Sequence, residues 1–373
     1  MKVIIKKTDL VGLIAKAQNI VEKRNTMPIL VNILMDAENS RLKVFATNLE
    51  VSLTDEVDVA VLEAGRVAVN AKSLFDIVKE LPDGDVTLEK QDNNWLKITQ
   101  GKAVFNIVGI SPEEYPVFPT YSTKEFMKID AAVLSEMIEK TIYSVSNDET
   151  RYHLNGVYFE RSLEGNMPTY KMVATDGHRL SLVSRQSTNY DNNEAFNEGV
   201  IIPRKGLNEI RKLIEGVEGQ FELALEGAQL IVRKDKTVLM IRLIEGKYPN
   251  YKQLIPQNLK ENISLKRDSL LSSLKRVSLL SNQKSKGVTF SISKGKMEIT
   301  SNNPELGEAH EEIDVNYGGV DLKIGFNAKY ILDVLSSIDE DEVSFELKDQ
   351  LSPGLMRPHS DKDYTCVIMP MRI

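Results

Sequence analysis

The chain reads Asn70-Ala-Lys-Ser-Leu-Phe-Asp-Ile-Val78, and this pattern returns as Pro203-Arg-Lys-Gly-Leu-Asn-Glu-Ile210 and as Asn327-Ala-Lys-Tyr-Ile-Leu-Asp-Val-Leu335. In each copy the apolar residues recur at the spacing of a helix, and a lysine stands at the third position. After a short turn each copy continues into an alternating segment, which is typical of a half-buried strand. The chain therefore contains three copies of a helix-and-strand unit.

Two further patterns recur in the same order around these copies. An amphipathic segment begins behind Asp9, Asp130 and Asp268, and we expect each aspartate to cap the start of a helix. A β segment centred on a threonine lies between the two helices of each copy. The three threonines are Thr47, Thr175 and Thr300, which are separated by 128 and 125 residues. Three signals that recur in the same order at a nearly constant offset are not expected by chance. They indicate threefold duplication of one unit.

The repeats predict an α+β protein of three domains, each with two helices packed on antiparallel β-sheets. We place the domains at residues 1–122, 123–252 and 253–373, because the stretches 121–124 and 251–256 lack periodicity and are flanked by prolines. A length of 373 residues suits two or three domains.

Composition excludes several classes of protein. Apolar residues make up 42% and charged residues 27%, which is ordinary for a globular protein. No apolar run is long enough to span a bilayer, and the N-terminus lacks the apolar core of a signal peptide, so we expect a cytoplasmic protein without membrane contact. A single cysteine, Cys366, cannot form an internal disulfide. The net charge of −7 means that any DNA-binding groups must be segregated on one surface.

The sequence predicts neither a catalytic site nor a metal or cofactor. It contains no Gly-rich phosphate loop, and its four histidines lack metal-ligand spacing. Asp176 and His178 could form an acid–base pair, but Asp-Gly is first of all a turn signal. Two alternatives stay open at this point: an enzyme of unknown class that uses these two residues, and a repeat scaffold that binds proteins without encircling DNA.

Basic residues are concentrated on one predicted helix, Arg204–Ile214. At 100° per residue its basic side chains share one arc and its apolar side chains share the other. The helix after Asp268 and its exit are also basic, whereas the helix after Asp130 carries Glu136 and Glu139. Such faces predict contacts with DNA phosphates without readout of the bases.

Four stretches together resemble the bacterial DNA polymerase III β subunit family, the sliding clamps. They are Thr175-Asp-Gly-His-Arg-Leu180, Arg151-Tyr-His-Leu-Asn-Gly156, Pro249-Asn-Tyr251 and the terminal Val367-Ile-Met-Pro-Met-Arg-Ile373. The resemblance covers all three repeats. It implies a head-to-tail homodimeric ring that encircles duplex DNA, slides freely and tethers the replicative polymerase. It also implies a clamp loader and other partners that carry a clamp-binding peptide.

The resemblance further implies one apolar peptide pocket per chain, between the second and third domains. Its walls would be Leu154, Thr175, Gly177, His178, Arg179, Leu180, Pro249, Leu254, Val367, Met369, Pro370, Met371 and Arg372. Apolar and methionine side chains suit an adaptable cleft for an extended peptide. Gln253 stands where the family pattern often has arginine, which predicts a less cationic rim.

Two more sets of residues follow from the charge pattern and the resemblance. The ring interface would join Phe105 and Ile107 to Leu279 and Leu280, although the sequence alone equally allows these four residues in the core. The DNA-facing residues would be Arg24, Lys72, Arg204, Lys205, Arg211, Lys212 and Lys275. Asp148 and Glu149 replace a polar DNA contact of the family, so we do not assign the loop before Arg151 to DNA.

Overall fold

The computed structural model describes residues 1–21, 27–165, 167–187, 194–257, 259 and 261–372. Within these residues, no helix is both long enough and apolar enough to cross a membrane. All strand pairs among these residues are antiparallel, and one order of helices and strands recurs three times along the chain, with two additional strands in the first copy. The predicted duplication is confirmed by this order.

The first copy has two strands more than the others. Its elements are β1 (Lys2–Lys6), α1 (Lys7–Ile20), β2 (Asn32–Glu38), β3 (Arg41–Thr47), β4 (Val51–Asp58), β5 (Ala60–Glu63), β6 (Gly65–Asn70), α2 (Ala71–Glu80), β7 (Asp85–Lys90), β8 (Leu96–Gln100), β9 (Ala103–Ile107) and β10 (Gly109–Ile110). The elements of the second copy are β11 (Met127–Asp130), α3 (Ala131–Glu139), β12 (Gly156–Glu164), β13 (Met167–Thr175), β14 (Arg179–Gln186), β15 (Val200–Pro203), α4 (Arg204–Ile214), β16 (Gln220–Glu226), β17 (Gln229–Lys234) and β18 (Thr237–Arg242).

The third copy repeats the order of the second. Its elements are β19 (Glu261–Lys266), α5 (Arg267–Val277), β20 (Gly287–Ser293), β21 (Lys296–Asn303), β22 (Gly307–Asp314), β23 (Leu322–Asn327), α6 (Ala328–Ser336), β24 (Glu342–Leu347), β25 (Gly354–Pro358) and β26 (Tyr364–Ile368). Single helical turns connect several of these elements, among them Ser278–Leu280 directly after α5.

The chain divides into two compact units. The first contains Met1–Ala132 and Lys205–Leu243, with a five-stranded sheet in the order β5-β1-β7-β8-β9 and a nine-stranded sheet in the order β10-β6-β2-β3-β4-β18-β17-β16-β11. Helix α1 packs on α2. The apolar stripe of α1, which includes Leu10, Leu13 and Ile14, is buried against α2, β3 and β4. This is the amphipathic spacing that the sequence predicted.

The second unit contains Val133–Arg204 and Ile244–Ile373. Its eight-stranded sheet has the order β15-β12-β13-β14-β26-β25-β24-β19, and its four-stranded sheet has the order β22-β21-β20-β23. The rings of Phe290, Phe326 and Phe345 pack on one another in the core of the third copy. Aromatic edge-to-face contacts of this kind stabilise a core beyond simple area burial.

The repeats are joined by continuous sheets. Strand β4 of the first copy pairs with β18 of the second, and β14 of the second pairs with β26 of the third. A sheet that contains strands of one copy thus continues into strands of the next copy. Among the described strands eight have a neighbour on one side only, namely β5, β9, β10, β11, β15, β19, β22 and β23. Of these, β9 matches β18 and β26 in the order of its copy, and β22 matches β4 and β14, which are the strands that join the copies.

The predicted aspartate caps are wrong for two helices. Helices α1 and α5 begin before Asp9 and Asp268, and their cap residues, Lys6 and Lys266, make no side-chain cap hydrogen bond. A preceding strand leads straight into each helix, and a carbonyl from a neighbouring strand turn accepts a hydrogen bond from the first helical amide. In α1 this bond joins the amide of Lys7 to the carbonyl of Gly84 at 2.9 Å. The amide group therefore needs no aspartate. Asparagine caps α2 and α6 instead.

The strand register also corrects the third threonine. Thr300 pairs with Thr289, and Thr289 pairs with Gly325, which lies three residues before α6. In the second copy Val173 pairs with Tyr158, and Tyr158 pairs with Ile201, which lies three residues before α4. Thr300 therefore matches Val173 and not Thr175. The position of Thr175 is held by Asn302, so the corrected offset between the second and third copies is 127 residues. The alternating β pattern hid a shift of two residues because it preserves the face of every side chain.

Candidate partner-binding site and basic helices

A rigid hairpin turn between β13 and β14 forms one wall of the candidate site. The hydroxyl of Thr175 donates to the carbonyl of Arg179 at 2.6 Å and accepts from the amide of Gly177 at 3.1 Å. Gly177 has a φ of +86°, and a Cβ there would lie 2.7 Å from Nη1 of Arg151. Only glycine meets both demands without strain.

Asp176 serves this turn. One of its carboxylate oxygens accepts the amides of His178 and Arg179, at 2.9 and 3.0 Å, and the other accepts Nε of Arg179 at 3.2 Å. The Asp-Gly turn predicted from the sequence is thus confirmed. The carboxylate is held by amides and a guanidinium, in an arrangement that shapes the backbone.

The floor of the site is one apolar cluster. It contains Leu154, Val173, Leu180, Ile201, Tyr248, Tyr251 and Val367, and the partly buried Tyr158, Leu182, Ile244 and Ile255 pack around it. Leu180 faces Val367 across the pair of β14 and β26. The structure therefore brings together Leu154, Leu180 and Val367, three of the pocket residues that the resemblance implies. The tyrosines of the floor were missed, because nothing in their local pattern separates them from core residues.

The rim of this cluster is exposed. Leu254 keeps 47% of its surface accessible and Met369 keeps 43%, whereas Pro249 is half-buried. Gln253 is exposed beside Leu254. An apolar floor with exposed apolar side chains on its rim suits the docking of a partner segment.

The C-terminal segment runs from the turn to the four-stranded sheet. The amide of Met369 donates to the carbonyl of His178 at 2.9 Å, and that of Met371 donates to the carbonyl of Gly325 at 2.8 Å. Beyond Pro370, Met371 and Arg372 line a separate cavity of about 580 Å³ on the four-stranded sheet. These two predicted pocket residues therefore lie apart from the apolar floor.

Arg179 is the most constrained residue of the site. Its guanidinium pairs with Asp333 of α6 at 2.6 Å, donates to the carbonyl of Tyr143, and lies 4.5 Å from the ring centroid of Tyr330. The ring of Tyr330 also stacks beside that of His178. Sequence reasoning missed all three partners. One signal was available: Tyr330 stands in the third helix copy at the place of Ser73 and Gly206, where only this copy has an aromatic residue.

A buried hydroxyl network lies under the turn. The phenol of Tyr143 is 2.8 Å from that of Tyr364, 3.2 Å from Sγ of Cys366 and 2.7 Å from Oγ of Ser181. Burial raises the pKa of the Cys366 thiol. The thiol is fully buried, and its raised pKa disfavours the thiolate, which is the nucleophilic form, so Cys366 is a core group.

Helix α4 has the two faces that the sequence predicted. Its apolar residues Leu207, Ile210 and Ile214 are buried, whereas Arg211 and Lys212 are exposed. Nζ of Lys212 lies 2.8 Å from the carboxylate of Glu209. The helix therefore presents positive charge on the face opposite to its packing face.

The other predicted DNA-facing residues have different settings. Arg204 is half-buried and donates to the carbonyl of Val145 and the side chain of Asn147, and burial lowers its pKa. Lys205 lies 3.3 Å from Glu50 and Lys72 lies 3.8 Å from Asp76. Lys275 on α5 is exposed, and it forms no ion pair within the parts of the chain described here. Arg24 lies outside the described residues.

The acidic helix α3 is explained by an ion cluster. The carboxylate of Glu136 lies 2.5 Å from Arg185 and 2.6 Å from Lys140, and both cations also contact Asp361. The hydrogen bond from Arg185 lowers the pKa of Glu136. Burial alone would raise the pKa of Asp361, but the bonds and charges of Arg185 and Lys140 outweigh it and lower the pKa. The cluster thus joins the second copy to the third through Asp361.

The predicted interface residues lie at or near the edge strands β9 and β22. Phe105 is 38% exposed on β9, beside Val104 and Val108, which are more exposed still. Leu279 is 75% exposed in the turn after α5, and that turn packs beside β22. Ile107 and Leu280 are half-buried. No group of three potential metal ligands occurs in the described ranges.

Comparison with known proteins gives matches along almost the whole chain. Family models of the DNA polymerase III beta subunit match in three parts: the N-terminal domain over residues 1–119, the central domain over 128–250 and the C-terminal domain over 252–372. The beta sliding clamp of Caulobacter vibrioides is 34% identical over 375 residues, and that of Vibrio cholerae is 31% identical over 374 residues. Both alignments cover 100% of each chain.

Solved structures agree with these relatives. The DNA polymerase sliding clamp from Caulobacter crescentus superposes with a TM-score of 0.93 at 34% identity. The sliding clamp from Bartonella birtlesii bound to griselimycin superposes with a TM-score of 0.94 at 31% identity. In both cases the match covers 100% of this chain and 100% of the other.

Proposed function

The chain belongs to the DNA polymerase III beta subunit family, the beta sliding clamps, and we propose that two copies close head to tail into a ring around duplex DNA. The resemblance and the three-domain α+β fold expected from the sequence are confirmed. Within the replicative polymerase complex a sliding clamp is an accessory subunit.

The observation that carries the ring proposal is the rule by which the repeats join. One edge of the first copy continues into the second through β4 and β18, and the second continues into the third through β14 and β26. By the same rule β22 in the third copy of one chain should continue into β9 in the first copy of a second chain. The five-stranded and four-stranded sheets would then form one nine-stranded sheet across two chains. Exposed edge strands invite such pairing.

The repeats also set the register of this third junction. Glu308 in β22 is the counterpart of Leu180 in β14, because it pairs with Asn302 as Leu180 pairs with Thr175. Leu180 itself faces Val367 in β26. The counterpart of Val367 in the first copy should therefore face Glu308.

That counterpart is Asn106. Successive strand pairs lead from Val367 to Asn262, which stands five residues before α5. The same path leads from Asn106 to Lys2, which stands five residues before α1. Asn106 in β9 and Val367 in β26 thus hold matching positions.

Antiparallel pairing would then set Glu308 of one chain against Asn106 of the other, and Ala309 against Phe105. Phe105 pairs with the buried Ile98 of its own sheet, so its side chain lies on the face that packs inward. Leu279, beside β22, would cover that face. The interface predicted from the sequence is thereby extended from two residue pairs to a strand pair.

The ring would hold DNA by enclosure. The exposed cations on α4 and α5, which include Arg211, Lys212 and Lys275, would face the phosphates, while the chain as a whole carries a charge of −7. A weak, salt-dependent attraction of this kind allows sliding. Arg204 would support the loop at Val145 more than it would contact DNA.

The apolar site beside the 175–180 turn, with its buried floor and the exposed Leu254 and Met369, would tether partners, and we call it the partner site. We propose that the replicative polymerase, the clamp loader and other DNA-processing proteins each insert an extended peptide there. The exposed Leu254 and Met369 would meet its apolar side chains, and the buried floor would exclude water. The ring would catalyse no reaction of its own, and it would act in the cytoplasm.

Engineered cysteines test the closure and its register together. Phe105→Cys with Ala309→Cys should give a covalent dimer after mild oxidation, visible on a non-reducing gel. Phe105→Cys with Glu311→Cys is the matched control: a shift of two residues separates the Cα atoms by roughly 7–8 Å, beyond disulfide reach. The native Cys366 is buried and should not interfere. Persistent monomers, or equal cross-linking of both pairs, would contradict the proposal.

A further inference from the structure

The turn that frames the partner site has a counterpart in the first copy. The hydroxyl of Thr47 accepts a hydrogen bond from the amide of Leu49 at 3.0 Å and donates one to the carbonyl of Val51 at 3.3 Å. The hydroxyl of Thr175 makes the same two hydrogen bonds, with Gly177 and Arg179. Leu49 therefore stands at the place of Gly177. Both have positive φ, +74° for Leu49 and +86° for Gly177.

The segment that closes the partner site is repeated as well. Tyr115-Pro116-Val117-Phe118 and Tyr248-Pro249-Asn250-Tyr251 lie 133 residues apart in the chain. The first tyrosine of each is buried. Phe118 packs on Phe45, with 5.2 Å between ring centroids. The same two pieces, a threonine turn and a Tyr-Pro segment, thus also meet within the first unit.

These pieces enclose a cleft of about 460 Å³, which we call the Leu49 cleft. Its apolar lining comes from Leu49, Pro116, Val117, Pro119 and Met240. Leu49 is 54% exposed and Val117 is 96% exposed. A leucine held in the left-handed region without burial gains nothing for folding, and strain of this kind is concentrated at ligand clamps.

The charges of the cleft point to an acidic ligand. The carboxylate of Glu50 lies 3.3 Å from Nζ of Lys205, and that of Glu226 accepts the amides of Ser122 and Thr123. Both acids are thus already engaged. Arg242, which lines the cleft and is exposed, makes no side-chain hydrogen bond or ion pair with any residue that the structure describes.

We propose that the Leu49 cleft is a second peptide-binding site, which takes an extended partner segment carrying an apolar side chain next to a carboxylate. The apolar side chain would lie between Leu49 and Val117, and the carboxylate would pair with Arg242. Arg242 holds the place of Met369, so the second site differs from the first in selecting charge. The inference rests on the proposed function only for the kind of ligand, an extended peptide.

Methionine methyl NMR separates the two sites in one spectrum. Met240 lines the Leu49 cleft and Met369 lies on the rim of the partner site. The probe is a hexapeptide library with leucine or phenylalanine beside aspartate or glutamate, titrated into the full-length protein labelled at methionine methyl groups. We expect the Met240 resonance, assigned with Met240→Leu, to shift on titration. A library with lysine in place of the acid should leave it unchanged.

Two variants and a control define the cleft. Leu49→Asn keeps the turn, because asparagine tolerates positive φ, and should weaken the Met240 response about tenfold or more while the Met369 response stays. Arg242→Glu should transfer the response from the acidic library to the lysine library. Leu62→Asn, which changes an exposed leucine away from the cleft, should alter neither.

The outcomes separate this inference from the proposed function. A Met369 shift without a Met240 shift would overturn the second site and leave the first intact. No shift of either would count against both. A Met240 shift that depends on protein concentration without peptide would assign the cleft to another copy of the chain, and would also overturn the inference.

Discussion

Nη1 of Arg179 lies 2.6 Å from Oδ2 of Asp333. Arg179 belongs to the turn that frames the partner site, and Asp333 belongs to α6 in the third copy. The side chain of Arg179 is only 7% exposed and holds Asp176 as well. The position of the turn is therefore set by a helix more than 150 residues further along the chain.

Asp333→Asn should weaken the binding of a clamp partner peptide. The loss of charge frees Arg179, and a hydrogen bond to a charged group contributes about 1.5–3 kcal/mol, so we expect a drop in affinity of at least about tenfold. Asp333→Glu should restore most of it, because a carboxylate remains within reach. Fluorescence polarisation with a labelled partner peptide measures the change. Equal affinities of the asparagine variant and the unchanged protein would show that the ion pair does not position the turn.

Gly177→Ala should destabilise the same turn. Its φ of +86° is strained for alanine, and the new Cβ would meet Arg151. We expect a loss of about 1–3 kcal/mol in the free energy of unfolding, measured with urea. Gly165→Ala is the matched control, since it has a φ of +66° with nothing within 4 Å of its Cβ. A similar loss in both variants would attribute the effect to φ alone and exclude the contact with Arg151.

The Glu136 cluster should stabilise the protein above about pH 4.5 and lose its effect in acid. The pKa values of Glu136 and Asp361 are lower in the folded protein than their usual 4.5 and 3.8. Groups with lowered pKa values stabilise the fold above the unfolded-state pKa, and the benefit is lost as pH falls through the folded-state value. The side chain of Glu136 is 37% exposed, so solvent screens part of its ion pairs, and Glu136→Gln should cost about 1 kcal/mol at pH 7. The cost should shrink as the pH falls below 4.5 towards the folded-state pKa.

Urea unfolding at several pH values tests this dependence. Glu245→Gln, a change to an exposed carboxylate of the same unit, serves as the control and should show little effect at any pH. A difference between Glu136→Gln and the unchanged protein that stays constant from pH 7 to pH 3 would contradict the role of the cluster.

Lys275→Ala should reduce the salt dependence of DNA binding. Each phosphate contact that is lost lowers the slope of log K against log salt by about 1, without any change in sequence preference. Lys296→Ala, at a lysine of β21 that pairs with Glu312, should leave the slope unchanged. Filter binding to linear duplex over a range of salt concentrations gives both slopes. Equal slopes for the two variants would remove Lys275 from the DNA-facing set.

Much of the fold could be predicted because the signals were local and repeated. Helical spacing in α1 and α4 and strand alternation depend on residues a few places apart, and three copies made them legible. The caps at Asp9 and Asp268 were wrong because the amides are satisfied by carbonyls from distant strand turns. Thr300 was misplaced because a shift of two residues leaves a strand pattern intact.

The site could be predicted only where its residues are close in sequence. The Thr175 turn was found because its hydrogen bonds span at most four residues. Tyr330 and Asp333 were missed because they reach Arg179 through the fold. Glu136 seemed an exception to the basic pattern until Arg185 and Asp361 explained it. The domain boundaries stay a prediction.

Two chains should enclose duplex DNA, and retention on circular DNA tests this enclosure most directly. The protein is loaded onto a nicked circular plasmid by its clamp loader, freed of unbound protein by gel filtration, and the plasmid is then cut once. We predict that the protein stays with closed circles and leaves after linearisation, since only free ends release a ring. Equal retention on circular and linear DNA, or equal loss from both, would contradict enclosure.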